Sequence, residues 1–139
     1  MKSAIINRYN GGSYTKEIRS EDKYFRNSIT WSALTSSLTG FRFSDYGALF
    51  DSAGSSMFPS EHWTNHVLGL LNIKVIMLIL YFLNSTLNYG AGIVGKLPIV
   101  IDEQVKPKVE SHVTEIISLS RADWDSFETS WDFMRHPLV

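Results

Sequence analysis

The sequence predicts an α/β (α+β) fold: a small, mostly antiparallel sheet packed by one long apolar helix and followed by C-terminal helices. Three observations carry this. Apolar and small polar residues alternate through residues 28–58, as they do along a half-buried strand. An apolar stretch then fills Val67 to Leu83. After Glu103, Val105, Val109, Val113, Ile116 and Ile117 recur at helical spacing. The chain divides on this reading into a basic, aromatic, loop-rich segment 1–27, an α/β region 28–101 and a helical segment 102–139.

The elements follow in order. Asn10-Gly11-Gly12-Ser13 marks a turn in the leading segment. Ser28 to Leu34 and Phe41-Arg42-Phe43 read as strands separated at Gly40, Tyr46-Gly47 as a turn, and Ala48 to Asp51 as a further short strand. Gly54 and Pro59 bound another extended piece ending at Met57-Phe58. Ser60 is a candidate N-cap for a helix from Glu61 to about Leu83, with a bend near Asn72. Gly90, Gly92 and Gly95 read as an irregular connection, and Leu97 to Ile101 as an edge strand because Pro98 has no N–H to donate. Pro107 fits only the first turn of the next helix. Ser120 and Asp123 resemble a capping box that opens a second C-terminal helix bearing Trp124, Phe127 and Trp131.

With 139 residues, 44% of them hydrophobic, the chain can bury one core, which excludes disorder as its dominant state. The net charge of −1 excludes a polycation that coats nucleic acid indiscriminately. The distribution is uneven: residues 1–50 hold seven basic and four acidic residues, whereas residues 101–139 hold four basic and eight acidic. A polyanion would therefore meet the front half. Cysteine is absent, which removes disulfides, thiolate metal sites and cysteine nucleophiles and fits a cytoplasmic protein. The N-terminus has no apolar core of the length a secretory signal needs. Val67 to Leu83 contains Asn72 and Lys74 and falls short of the about 20 apolar residues of a spanning helix, so no membrane partner is expected.

No self-sufficient catalytic set emerges. His62 and His66 stand four apart but lack a third ligand, and they read as helix-surface histidines rather than a metal site. Asp123, Asp125, Glu128 and Asp132 read as a solvated helix face, with Trp124, Phe127 and Trp131 packing inward. Neither a GxxxxGK[ST] loop nor a GxGxxG turn is expected. The front half is richer. Arg8, Tyr9, Tyr14, Lys16, Arg19, Lys23, Tyr24, Phe25, Arg26, Trp31 and Phe41-Arg42-Phe43 interleave cations with rings. Cations neutralise phosphates, and arginine can read guanine edges. The opposing interpretation is a sheet whose rings are core and whose cations are ordinary surface.

Thr30-Trp31-Ser32, Gly40 to Phe43, Gly47 to Asp51, Ala53 to Ser56 and Phe58-Pro59 resemble the target-recognition region of BREX-type adenine-specific DNA methyltransferases. Leu68 to Asn72, Lys74-Val75, Leu83-Asn84, Thr86 to Tyr89, Gly95 to Ile99 and the ending Asp123 to Phe133 continue the likeness. More loosely, the pattern is similar to type I and type IIG restriction specificity domains. Ser85 departs from the family, which has Pro after Asn, and Tyr89 to Gly92 replaces a Phe-Gln-Val-Gly-like segment. The resemblance implies that the Asn-Pro-Pro-Tyr-type catalytic loop and the S-adenosylmethionine site belong to an upstream domain. Neither pattern occurs in these residues, so no cofactor is expected in this chain.

The resulting expectation is a DNA sequence-recognition piece of a phage-defence methyltransferase: a split subunit, a recombination cassette or a truncated remnant. Its partners would be double-stranded DNA and a methyltransferase core or other defence-system subunit. Arg8, Lys16, Arg19, Lys23, Arg26 and Arg42 are the expected DNA contacts. Two rival readings are a protein-docking module using the 61–83 helix and the Trp-rich tail, and an independent enzyme, which the lack of a catalytic set disfavours.

Overall fold

The computed structural model describes residues 19–136 and residue 138. Three strands form one antiparallel sheet: β1 (Ser28–Ser32), β2 (Arg42–Ser44) and β3 (Gly54–Met57), in the order β2-β1-β3. Its register follows from β1's alternation. Ile29 lies opposite both Phe43 and Met57 on the face that meets the core, whereas Thr30 lies opposite Arg42 and Ser56 on the other face. Trp31, 1% exposed, donates its indole N–H to the Tyr89 carbonyl at 2.7 Å, and so meets the hydrogen-bonding demand of a buried indole. Tyr89 N–H bonds back to the Ala33 carbonyl, and an isolated bridge joins Leu34 to Asn88, so residues 87–89 extend the pairing beyond the end of β1.

Ala48 to Asp51 is not a strand. Asp51 Oδ1 accepts from Ala53 N and Gly54 N at 2.8 and 2.7 Å, an Asx turn that bends the chain into β3. Ring contacts hold that loop instead, with Phe50 5.5 Å from Tyr24 and 5.2 Å from Phe58 between centroids. The Tyr46-Gly47 turn forms as expected, with Gly47 at φ 96°.

The helix expected over residues 61–83 is broken. A 3₁₀ turn (Glu61–Trp63) leads into α1 (Thr64–Leu71), and α2 (Lys74–Leu83) follows at a 76° bend. Asn72 accounts for the break. Its Oδ1 accepts from Phe41 N at 3.1 Å, and its Nδ2 donates to the carbonyls of Phe41 and Leu68, each at 3.0 Å. One carboxamide thus closes α1 and takes the place of a strand partner for Phe41, the residue just before β2. Among the described residues no single helix is long and apolar enough to cross a membrane.

Next come a short helix, α3 (Ala91–Val94), and a long one, α4 (Lys106–Trp124), with its proline in the first turn as expected. Asp102 Oδ1 accepts from Gln104 N and Val105 N in the turn before α4. Leu97 to Ile101 forms no strand: turn bonds occupy Lys96 and Leu97, and the Val100 carbonyl accepts from the His66 ring. No second C-terminal helix starts at Ser120, because α4 runs continuously through it and turns follow. The departure at Ser85 needs no proline, since Asn84 makes the turn itself: its Nδ2 donates to Thr86 O and its Oδ1 accepts from Thr86 N and Oγ1.

The core joins Ile29, Trp31 and Phe41 of the sheet region to Val67, Leu68 and Leu71 of α1, Ile76 and Leu80 of α2, and Val113 of α4. α1 and α4 approach closely at Gly69, where a Cβ would stand 2.8 Å from methyls of both Val109 and Val113.

Candidate nucleic-acid interface

Strand β2 lies between two grooves that share Phe43 in their walls. The larger, about 710 Å³, runs between β2, the end of α1 and the last turns of α4. Phe41, Leu68, Val113 and Ile117 make its apolar floor, and Arg42, Asn72, Ser120, Arg121 and Trp124 supply polar and aromatic walls. Arg42 is exposed and donates from Nη2 to Ser32 Oγ at 3.1 Å, which leaves the rest of its planar fork of donors facing solvent. Arg121 Nη2 donates to Asp45 Oδ2 at 3.1 Å, an exposed pair that ties α4 to the turn after β2. The smaller groove, about 430 Å³, is lined by Arg26, Asn27, Phe43, Tyr46, Glu61 and Asn65.

The expected contact residues therefore separate. Arg26 and Arg42 line adjoining grooves on either side of Phe43. Arg19 and Lys23 line neither. Lys23 closes a 3₁₀ turn (Glu21–Lys23), with Nζ 3.1 Å from the Asp22 carboxylate. Hydrogen bonding from Lys23 holds the Asp22 carboxyl below its ordinary range, so Lys23 is already engaged. Arg8 and Lys16 lie outside the described residues.

Arg121 and Trp124 are the residues that sequence reasoning missed. The signal was present: Val113, Ile117, Arg121 and Trp124 continue one helical face. Trp124 was expected to pack inward, as were Phe127 and Trp131. All three are exposed, Trp131 completely. The walls are not uniformly positive, because Asp45 and Glu61 stand beside the arginines. That composition suits selective contacts better than a blanket attraction to phosphate.

Two further expectations are corrected. His66 is no surface histidine: it is 2% exposed, its Nε2 donates to the Val100 carbonyl at 3.0 Å, and its ring meets Trp63 edge-on. His62 is exposed and pairs with Glu103 at 3.1 Å. Gly90, Gly92 and Gly95 do carry GxGxxG spacing, which the reading as an irregular connection overlooked. The surroundings are not those of a dinucleotide fold. The sheet is antiparallel, the helix that follows has four residues, and a Cβ at Gly90 or Gly92 would meet open space. Among the described residues, no group of three or more His, Asp or Glu side chains is placed to hold a metal ion.

By sequence, the chain is homologous to a short segment of adenine-specific methyltransferases. It is 40% identical over 116 residues to the adenine-specific methyltransferase PglX of Lacticaseibacillus casei (strain Zhang), covering 83% of this chain and 10% of that protein. It is 31% identical over 142 residues to the adenine-specific methyltransferase BrxX of Escherichia coli O9:H4 (strain HS), covering 97% of this chain and 12% of that protein. The chain thus spans about a tenth of the length of the curated relatives it matches. No family model matches it.

Proposed function

We propose that this chain recognises duplex DNA on behalf of an adenine-specific methyltransferase core, within a phage-defence system. The observation that carries the reading is the gathering of Arg26, Arg42 and Arg121 with Tyr46 and Trp124 around two grooves that share Phe43, in a chain homologous to part of such enzymes. Guanidinium forks offer bidentate donors to guanine edges and phosphates, exposed rings offer stacking surface, and Asn27 and Asn65 add amides. Neither groove is lined by a glycine-rich turn, which favours a cofactor site elsewhere in the enzyme. S-adenosylmethionine is accordingly assigned to the core, and no methyl-transfer step is assigned to this chain.

The test is binding of the purified chain to duplex DNA across a salt series, alone and with a methyltransferase core. Affinity should fall with salt, and Arg42→Glu should weaken it while lowering the log–log slope by about one if Arg42 contacts phosphate. If Arg42 reads a base edge, the variant should instead cost about 1–3 kcal/mol and relax the preference at one position. Salt-independent affinity, or no binding under either condition, overturns the reading.

A further inference from the structure

We propose that the outer face of α2 is a docking surface for the remainder of an adenine-specific methyltransferase polypeptide. This rests on the methyltransferase half of the reading above and not on DNA contact. The helix is apolar on both sides. Ile76 and Leu80 point into the core, while Val75, Leu78, Tyr81 and Phe82 are 62%, 56%, 63% and 76% exposed. Leu38, 65% exposed, extends the patch. Grooves of about 530 and 640 Å³ flank it, and Leu38 and Tyr81 stand in the walls of both. A ridge of aliphatic and aromatic side chains between two grooves has the relief that a packed helix or loop requires, and contiguous apolar patches of this kind mark contact sites.

Chain length identifies the occupant. In the Lacticaseibacillus casei relative, the matching segment is 10% of the protein, so about nine-tenths of that polypeptide is available to cover the face. A lipid surface fits less well. Ten residues of helix are about 15 Å long, half the thickness of a bilayer core. An interfacial helix needs a charged face opposite its apolar one, whereas α2 carries only Lys74 and turns its other side into the protein.

The experiment is carbene footprinting of this chain and of the full-length Lacticaseibacillus casei enzyme. The expected result is strong labelling of Leu78, Tyr81 and Phe82 in this chain. In the relative, labelling of the peptide aligned with α2 should be lost, with cross-links from that peptide to residues outside the matching segment. Equal labelling in both proteins overturns the proposal. So does concentration-dependent loss of labelling as this chain dimerises in the ultracentrifuge, or flotation with phosphatidylglycerol–phosphatidylcholine vesicles. Leu78→Glu and Phe82→Ser should each leave the thermal midpoint and DNA affinity of this chain unchanged, and collapse of both variants would show the face to be internal structure. Loss of labelling in the relative with no DNA binding by this chain would retain the docking face and remove only the DNA reading.

Discussion

Asn72, Gly69 and Trp31 show how far single side chains determine this fold. Gly69 leaves just enough room for two valine methyls of α4, and β-branched residues in a helix have little rotamer freedom with which to move aside. Gly69→Ala should therefore destabilise the chain by about 1–3 kcal/mol despite alanine's better helix propensity, which urea denaturation would measure. Trp31→Phe keeps the ring but leaves the Tyr89 carbonyl without its indole donor; the expected loss is about 1–3 kcal/mol in the same assay. Alternation in the sequence put Trp31 in a half-buried strand and left open whether its ring meets DNA or the core; it lies in the core. The pattern could not reveal the indole's partner, which lies 58 residues along the chain. Nor could it place His66, because a histidine at helical spacing looks the same whether a distant carbonyl accepts its proton or water does.

Among the elements, β1, the turn at Gly47 and α4 were legible because their signals are local: alternation, a residue that accepts positive φ, and a proline in a first turn. The failures share a cause. Ala48 to Asp51 and Leu97 to Ile101 have strand-like composition, but their partners lie outside any ladder: the Ala48 carbonyl accepts from Phe25 N, Asp51 turns the chain into β3, and the Val100 carbonyl accepts from the His66 ring. The capping-box pattern at Ser120 was a false start because α4 already satisfied those backbone groups. The true helix entry is served by Asp102. Asp102→Ala should cost about 0.5–1.5 kcal/mol by loosening the turn that leads into α4, read by amide hydrogen exchange at Gln104 and Val105.

At the scale of the whole molecule, the sequence placed a basic front against an acidic tail, and the fold brings one cation of the tail to the front. Arg121 joins Arg42 at one groove through its pairing with Asp45. This convergence was illegible in the sequence because it depends on α1 and α4 closing at Gly69. It predicts that Arg42→Glu and Arg121→Glu each weaken DNA binding, whereas Lys23→Glu, at a residue that lines neither groove, has the smaller effect; fluorescence anisotropy at fixed salt would rank them.

The carboxamide that breaks the long helix also stands in the wall of the arginine-rimmed groove and in that of the groove beneath Leu78 and Tyr81. Both hollows therefore have in common the residue whose three hydrogen bonds fix the bend between α1 and α2. Asn72→Ala should strip all three and loosen the floor of both hollows together, read as faster amide exchange around each.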